Sequence, residues 1–97
     1  MKDDLLKVEK MSQGFKLVLT PAAKEEFCDI TFLNLPKVGT KINQGDSFAE
    51  IEAEKAVNEL VSPVTGLVEK VNEKALEDPS ILNTAENPWL VEISFAE

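Results

Sequence analysis

The stretch at residues 48–66, FAEIEAEKAVNELVSPVTG, decides the fold of this chain. Apolar and acidic residues alternate from Ala49 to Glu54, and this period of two is typical of a half-buried β-strand. A second apolar run leaves through residues 57–61 and ends before Pro63, which cannot donate to a sheet ladder. The two runs are too close together for any connection but a tight turn. We therefore predict a β-hairpin with Lys55 at its tip.

The predicted hairpin has one apolar face and one acidic face. The predicted register pairs inward-facing positions, namely Ala49 with Leu60, Ile51 with Asn58 and Ala53 with Ala56. On the other face Glu50 lies directly opposite Glu59, and such a like-charge pair is destabilising. The turn also lacks the Gly that tight hairpins favour. Because local chemistry that disagrees with the fold is often functional, Lys55 is a candidate for an amine that other proteins reach, while the commoner interpretation of a lone lysine in a turn is an ordinary exposed side chain.

Length and charge limit the classes of function. A chain of 97 residues predicts one domain, residues 1–97. The formal net charge of −8 argues against nucleic acid and anionic membranes as partners, since both bind basic surfaces. It suits docking to a basic patch on a partner enzyme, and equally an acidic surface that keeps a monomer soluble. The chain shows no signal peptide and no apolar run long enough to span a bilayer, so we expect a cytoplasmic protein.

The residue types argue against a self-sufficient enzyme. The chain has no histidine, which removes the commonest general base and metal ligand. A nucleophile paired with histidine is therefore impossible within this chain, and we expect neither catalytic residues nor a metal site. The one cysteine, Cys28, has no neighbouring cation to lower its pKa, so we interpret it as a small buried apolar residue rather than a redox thiol.

The rest of the chain predicts more strands and little helix. Strands are predicted at Leu5–Lys10, Phe15–Leu19, Asp29–Leu35, Leu67–Val71 and Trp89–Phe95. Thr20 followed by Pro21 predicts the start of a short helix that ends at Phe27. Residues 76–83 predict a loop with one helical turn, capped by Asp78. The fold class is thus all-β with short helices, a flattened barrel or sandwich of two small antiparallel sheets.

Many of these residues, in this order, resemble the glycine cleavage system H protein family. The matching positions around the lysine are Glu52, Lys55, Ala56, Glu59, Ser62, Pro63 and Gly66. The likeness continues through Val71-Asn72-Glu73, Leu76-Glu77-Asp78, Leu82-Asn83 and Trp89-Leu90. It covers nearly the whole chain from about Leu17.

The resemblance implies a lipoyl/biotinyl-type barrel-sandwich hybrid that carries lipoate on Lys55 through an amide bond. The lipoyl group would be a swinging arm that carries an aminomethyl or acyl group, or electrons, between partner enzymes. Glu52, Glu54, Ala56, Glu59 and Gly66 would provide recognition around the hairpin. The implied partners are a lipoate ligase or lipoyltransferase, glycine decarboxylase, aminomethyltransferase and dihydrolipoyl dehydrogenase. The chemistry would belong to the cofactor, and the protein would supply placement.

Alternative functions remain open at this point. The strand around Leu5–Val8 lacks the His and Trp typical of the H family, and residues 83–89 lack the usual Gly and Tyr. An H-like lipoyl relay, or a carrier regulated by ADP-ribosylation with macrodomain and sirtuin-type partners, would fit these departures. The Glu54-Lys55-Ala56 run also resembles lipoyl domains of 2-oxoacid dehydrogenases. An unmodified interaction module is the last alternative.

Overall fold

The computed structural model describes residues 5–27, 29–54, 57–84, 86 and 88–95. This part of the chain forms eight strands and three short helices. In chain order they are β1 (Leu6–Met11), β2 (Gly14–Leu19), α1 (Pro21–Phe27), β3 (Ile30–Asn34), β4 (Lys41–Ile42), β5 (Ser47–Ala53), β6 (Val57–Val61), β7 (Gly66–Val71), α2 (Glu73–Glu77), α3 (Ile81–Thr84) and β8 (Trp89–Phe95). The longest helix, α1, has seven residues. None of the helices in the described ranges is therefore long and apolar enough to cross a membrane.

Two antiparallel sheets make up the sandwich. The larger sheet has the strand order β1-β2-β8-β7-β4, and the smaller has the order β3-β5-β6. One hydrophobic cluster takes buried side chains from both, for example Leu17 and Ile93 from the larger sheet and Ile51 and Leu60 from the smaller. The core therefore lies between the sheets, and burial of this apolar surface is the main stabilising term. The predicted fold class is confirmed.

The connection between β2 and β3 folds as the sequence predicts. The Thr20 hydroxyl oxygen accepts a hydrogen bond from the backbone N–H of Ala23 at 3.1 Å, which satisfies one free donor of the first helical turn. Pro21 is the first helical residue, where its missing N–H costs nothing. Ala23 and Phe27 are buried on the inner side of α1. The interpretation of Cys28 concerns a residue outside the described ranges and stays a prediction.

The segment between β7 and β8 is more helical than the sequence analysis expects. The prediction of a loop with one helical turn misses α2, which precedes it. The buried Asn72 caps this helix, because its Oδ1 accepts a hydrogen bond from the backbone N–H of Ala75 at 3.3 Å. Asp78 caps the turn that follows it as predicted, because its Oδ1 accepts from the backbone N–H of Ser80 at 3.2 Å and from the Ser80 hydroxyl at 2.6 Å. The helix α3 itself begins only at Ile81.

Candidate functional site: the acidic hairpin

The hairpin predicted around Lys55 is formed by β5 and β6. The observed register pairs Ala49 with Leu60, Glu50 with Glu59, Ile51 with Asn58 and Glu52 with Val57. The predicted register is thus confirmed for every pair that lies within the described residues. Lys55 and Ala56, together with the predicted pair of Ala53 with Ala56, fall outside those residues. Their place at the tip therefore stays a prediction.

The two faces of the hairpin separate as the alternation predicts. Ile51 is fully buried and Leu60 nearly so, and both belong to the core. Glu52, Glu54 and Glu59 are exposed, whereas Glu50 is half-buried. The hairpin is therefore anchored by its inner face and carries its carboxylates on the outer one.

The outer face of the hairpin continues onto β3. Because β3 pairs with β5, the two outward rows at Glu50 and Glu52 continue onto a third strand. The resulting rows are Phe32–Glu52–Val57 and Asn34–Glu50–Glu59. These six outward side chains are called the acidic face below. The sequence analysis does not single out Phe32, since its outward orientation depends on a register irregularity between Ile30 and Phe32.

A hydrogen-bond network holds the end of β5 that leads into the hairpin connection. The backbone N–H of Glu54 donates to the carbonyl of Asp29 at 2.9 Å. Asn83 of α3 supports the same segment, because its Oδ1 accepts from the N–H of Ile30 at 3.1 Å and its Nδ2 donates to the Asp29 carboxylate at 3.0 Å. The hydroxyl of Thr31 also donates to the carbonyl of Glu52 at 3.3 Å. The residue immediately before Lys55 is therefore tied to β3 and, through it, to α3.

Gly66 has a structural reason to be glycine. It begins β7 in the larger sheet and is buried. A Cβ at this position would collide with the backbone carbonyl oxygen of Ser94 and would lie 2.5 Å from Cγ2 of Ile93. Any side chain would therefore push β7 away from β8. The recognition role expected for Gly66 stays a prediction.

A shallow groove of about 430 Å³ runs beside the hairpin. Asn58 and Leu60 from β6 line one part of it, and Leu5 and Leu6 line another. Within the described residues no group of three His, Cys, Asp or Glu side chains is placed to hold a metal ion.

The fold and the hairpin together define a class of protein, a sandwich of two antiparallel sheets that presents an acidic hairpin. A family profile described as "Glycine cleavage H-protein" matches residues 2–97. The chain therefore belongs to the glycine cleavage H-protein family. Members of this family are carriers rather than enzymes, and they hold lipoate covalently on a lysine.

Individual relatives agree with the family assignment. The chain is 41% identical over 81 residues to a glycine cleavage system H protein from Gloeobacter violaceus, covering 81% of this chain and 63% of the relative. It is 44% identical over 87 residues to one from Myxococcus xanthus, covering 84% of this chain and 66% of the relative. The chain thus spans slightly less than two thirds of the length of these relatives.

A solved structure supports the same family assignment. The crystal structure of a glycine cleavage system H protein from Mycobacterium marinum superposes with a TM-score of 0.84 at 27% sequence identity. The match covers 97% of this chain and 83% of the other. The two proteins therefore share the whole sandwich, including the hairpin strands.

Proposed function

We propose that this protein is a lipoyl carrier of glycine cleavage and that Lys55 is its attachment site. The observation that carries this proposal is the hairpin itself, in which the last described pair, Glu52 with Val57, leaves a short connection containing Lys55. Family membership supports the same conclusion, since members hold lipoate on a lysine. Glu52, Glu54 and Glu59 carry negative charge close to that connection and would guide cationic partners to it.

The loading step requires an enzyme from outside. The ordinary pKa of a lysine lies well above neutral pH, so the neutral amine is a minority species. A base on the loading enzyme would take one proton from the ammonium group, and the amine would attack the carbonyl carbon of an activated lipoate. The new amide bond forms as the activating group leaves with its electron pair and the nitrogen gives up a second proton, which passes to the leaving group or to water. Lys55 then loses its charge, and the surface around it becomes purely acidic.

The loaded protein would serve several enzymes in turn. We infer that a lipoate ligase or lipoyltransferase loads it. Glycine decarboxylase, aminomethyltransferase and dihydrolipoyl dehydrogenase would then use the dithiolane of the arm. The protein contributes placement, while the lipoyl group contributes the redox and transfer chemistry.

Intact mass after lipoylation tests the attachment site. The protein is incubated with a lipoate ligase, ATP and lipoate, and the mass increase of one lipoyl group is measured. The Lys55→Arg variant should gain no mass. Lys70→Arg, a change at an exposed lysine of the larger sheet, is the matched control and should be modified normally. Modification retained in Lys55→Arg would refute the assignment.

A second assay tests the role in glycine cleavage. The lipoylated protein should support exchange of bicarbonate with the carboxyl carbon of glycine when glycine decarboxylase is present, and unlipoylated protein should not. Full lipoylation without exchange would refute the glycine-cleavage role while leaving the carrier role intact. The relatives described above are all glycine cleavage H proteins, so they lend no support to a relay, an ADP-ribosylation-regulated carrier, a 2-oxoacid dehydrogenase domain or an unmodified module.

A further inference from the structure

Two large apolar side chains are exposed on the acidic face. Phe32 is 44% exposed and Val57 is 63% exposed. They stand on either side of Glu52 in the row of the small sheet that is nearest to the hairpin connection. Isolated exposed apolar residues need no explanation. Here, however, two of them share one row that ends two residues away from Lys55, where any enzyme acting on that amine must approach.

The charged residues on the three strands that carry or flank these apolar side chains are all acidic. Strands β3, β5 and β6 contain no Lys or Arg, although they carry Glu50, Glu52 and Glu59. Glu50 and Glu59 are direct cross-strand partners, an arrangement that costs stability. A neutral or cationic residue at either position would remove that cost.

On the larger sheet, by contrast, acidic residues pair with basic ones. Its outer face has a row in which acidic and basic residues alternate across four strands, Glu9–Lys16–Glu92–Lys70. Lys16 and Glu92 lie 3.9 Å apart as an ion pair. The charges of this one row of the larger sheet therefore compensate one another, whereas the strands of the acidic face carry negative charge around an apolar pair with no basic residue among them. Charge complementarity then predicts a partner surface that is cationic around a small apolar patch.

We propose that the acidic face is the docking surface for the enzyme that attaches the lipoyl group to Lys55, and that Phe32 and Val57 are its apolar anchors. This inference rests on the proposed function. The length of the Lys55 side chain indicates which partner docks on this surface, namely the loading enzyme. An enzyme that acylates the bare amine must come within the length of one lysine side chain of the hairpin and therefore contacts its last rows. Enzymes that use the loaded arm act at the far end of a much longer tether.

Steady-state kinetics of lipoylation test the apolar anchors. Initial rates are measured with a lipoate ligase, ATP and lipoate while the concentration of unlipoylated protein is varied. The double variant Phe32→Ala/Val57→Ala should raise KM for the protein about tenfold and leave kcat nearly unchanged, because it removes docking contacts and not chemistry. The matched control is Phe95→Ala/Val38→Ala. Phe95 is 45% exposed and Val38 is 59% exposed, and both lie away from the acidic face.

Salt dependence tests the charges. KM of the wild-type protein should rise as ionic strength increases, because screening weakens attraction between exposed charges. Glu50→Gln/Glu59→Gln should flatten that dependence. Glu69→Gln/Glu73→Gln changes the net charge equally, away from the acidic face, and should keep the wild-type dependence.

Two further measurements separate docking from other effects. Acetylation of Lys55 by a small reagent should be equally fast in wild type and in Phe32→Ala/Val57→Ala, which excludes a change in the amine itself. Thermal unfolding should show that each variant is folded. Equal KM values for the anchor variant and its control would overturn the docking surface while leaving Lys55 as the attachment site. A wild-type protein that the ligase leaves unmodified would overturn the proposed function and this inference with it.

Discussion

Replacing Asn83 by Ala should weaken both the fold and the end of β5 that leads into the hairpin connection. The substitution removes the acceptor for the N–H of Ile30, a residue that is only 1% exposed. A buried donor left without a partner costs about 2 kcal/mol. The bond from Asn83 to the exposed Asp29 carboxylate adds little to that figure. For a domain of this size, about 2 kcal/mol lowers Tm by about 10 °C.

The local consequence of this substitution is measured by amide hydrogen exchange. The N–H of Glu54 donates to the carbonyl of Asp29, and Asn83 holds Asp29 and Ile30 in place. Exchange at Ile30 and Glu54 should therefore accelerate in Asn83→Ala by more than the loss of global stability explains. Amides of the central strand β8, such as that of Val91, should change only through global unfolding.

Two variants sharpen the Asn83 test. Asn83→Asp keeps an acceptor oxygen for Ile30 but sets a carboxylate against that of Asp29, so it should lose about half as much stability as Asn83→Ala. Thr84→Ala, an exposed change at the next residue of α3, should shift stability by less than about 0.5 kcal/mol. If Asn83→Ala melts within about 2 °C of wild type, or Asn83→Asp is no better than Asn83→Ala, the reasoning about the buried N–H of Ile30 is wrong.

The glycine and carboxylate arguments give two more predictions, both read from urea unfolding. Gly66→Ala should cost about 3 kcal/mol or prevent folding because its Cβ meets backbone, whereas Gly45→Ala has open space and should cost only about 1 kcal/mol for a residue at φ 94°; the reverse order would contradict this account. Glu59→Lys should stabilise the protein by about 0.5 kcal/mol at low salt by turning the like-charge pair with Glu50 into an attractive one. That gain should shrink in 1 M salt, and a gain that is independent of salt would contradict the electrostatic explanation.

The features that follow from the sequence are the local ones. Alternation from Ala49 to Glu54 predicts which face of β5 is buried, and the short distance to Val57 leaves a hairpin as the only connection. The pair of Ile51 with Asn58 then follows from counting residues outward from the turn, and the structure has it. The helix α1 is equally local, because Thr20 and Pro21 mark its start within a few residues.

The features that the sequence does not predict are those that join distant segments of the chain. Strand β8 lies between β2 and β7, and nothing in its alternation says which strands flank it. The outward placement of Phe32 depends on a register irregularity within a single strand pair. The contact between Asn83 and Ile30 spans 53 residues. An Asn near a helical turn is ordinarily interpreted as a cap. The sequence around Asn83 therefore gives no sign that this residue supports the end of β5. The helix α2 has only five residues, and such a short segment has little periodicity to detect.

We infer that placement and recognition are carried by different residues in and around the hairpin. Asn83, Asp29 and Thr31 hold the backbone up to Glu54, so a change there should alter how Lys55 is presented to every enzyme that acts on it. Phe32 and Val57 belong to the outer surface and meet only a partner that covers it. A carrier must serve several enzymes with one lysine, so a shared scaffold and separate docking residues allow one partnership to change without the others. For the same reason the uncompensated pair of Glu50 and Glu59 has a physical explanation, since its small cost in stability is offset when a cationic surface binds.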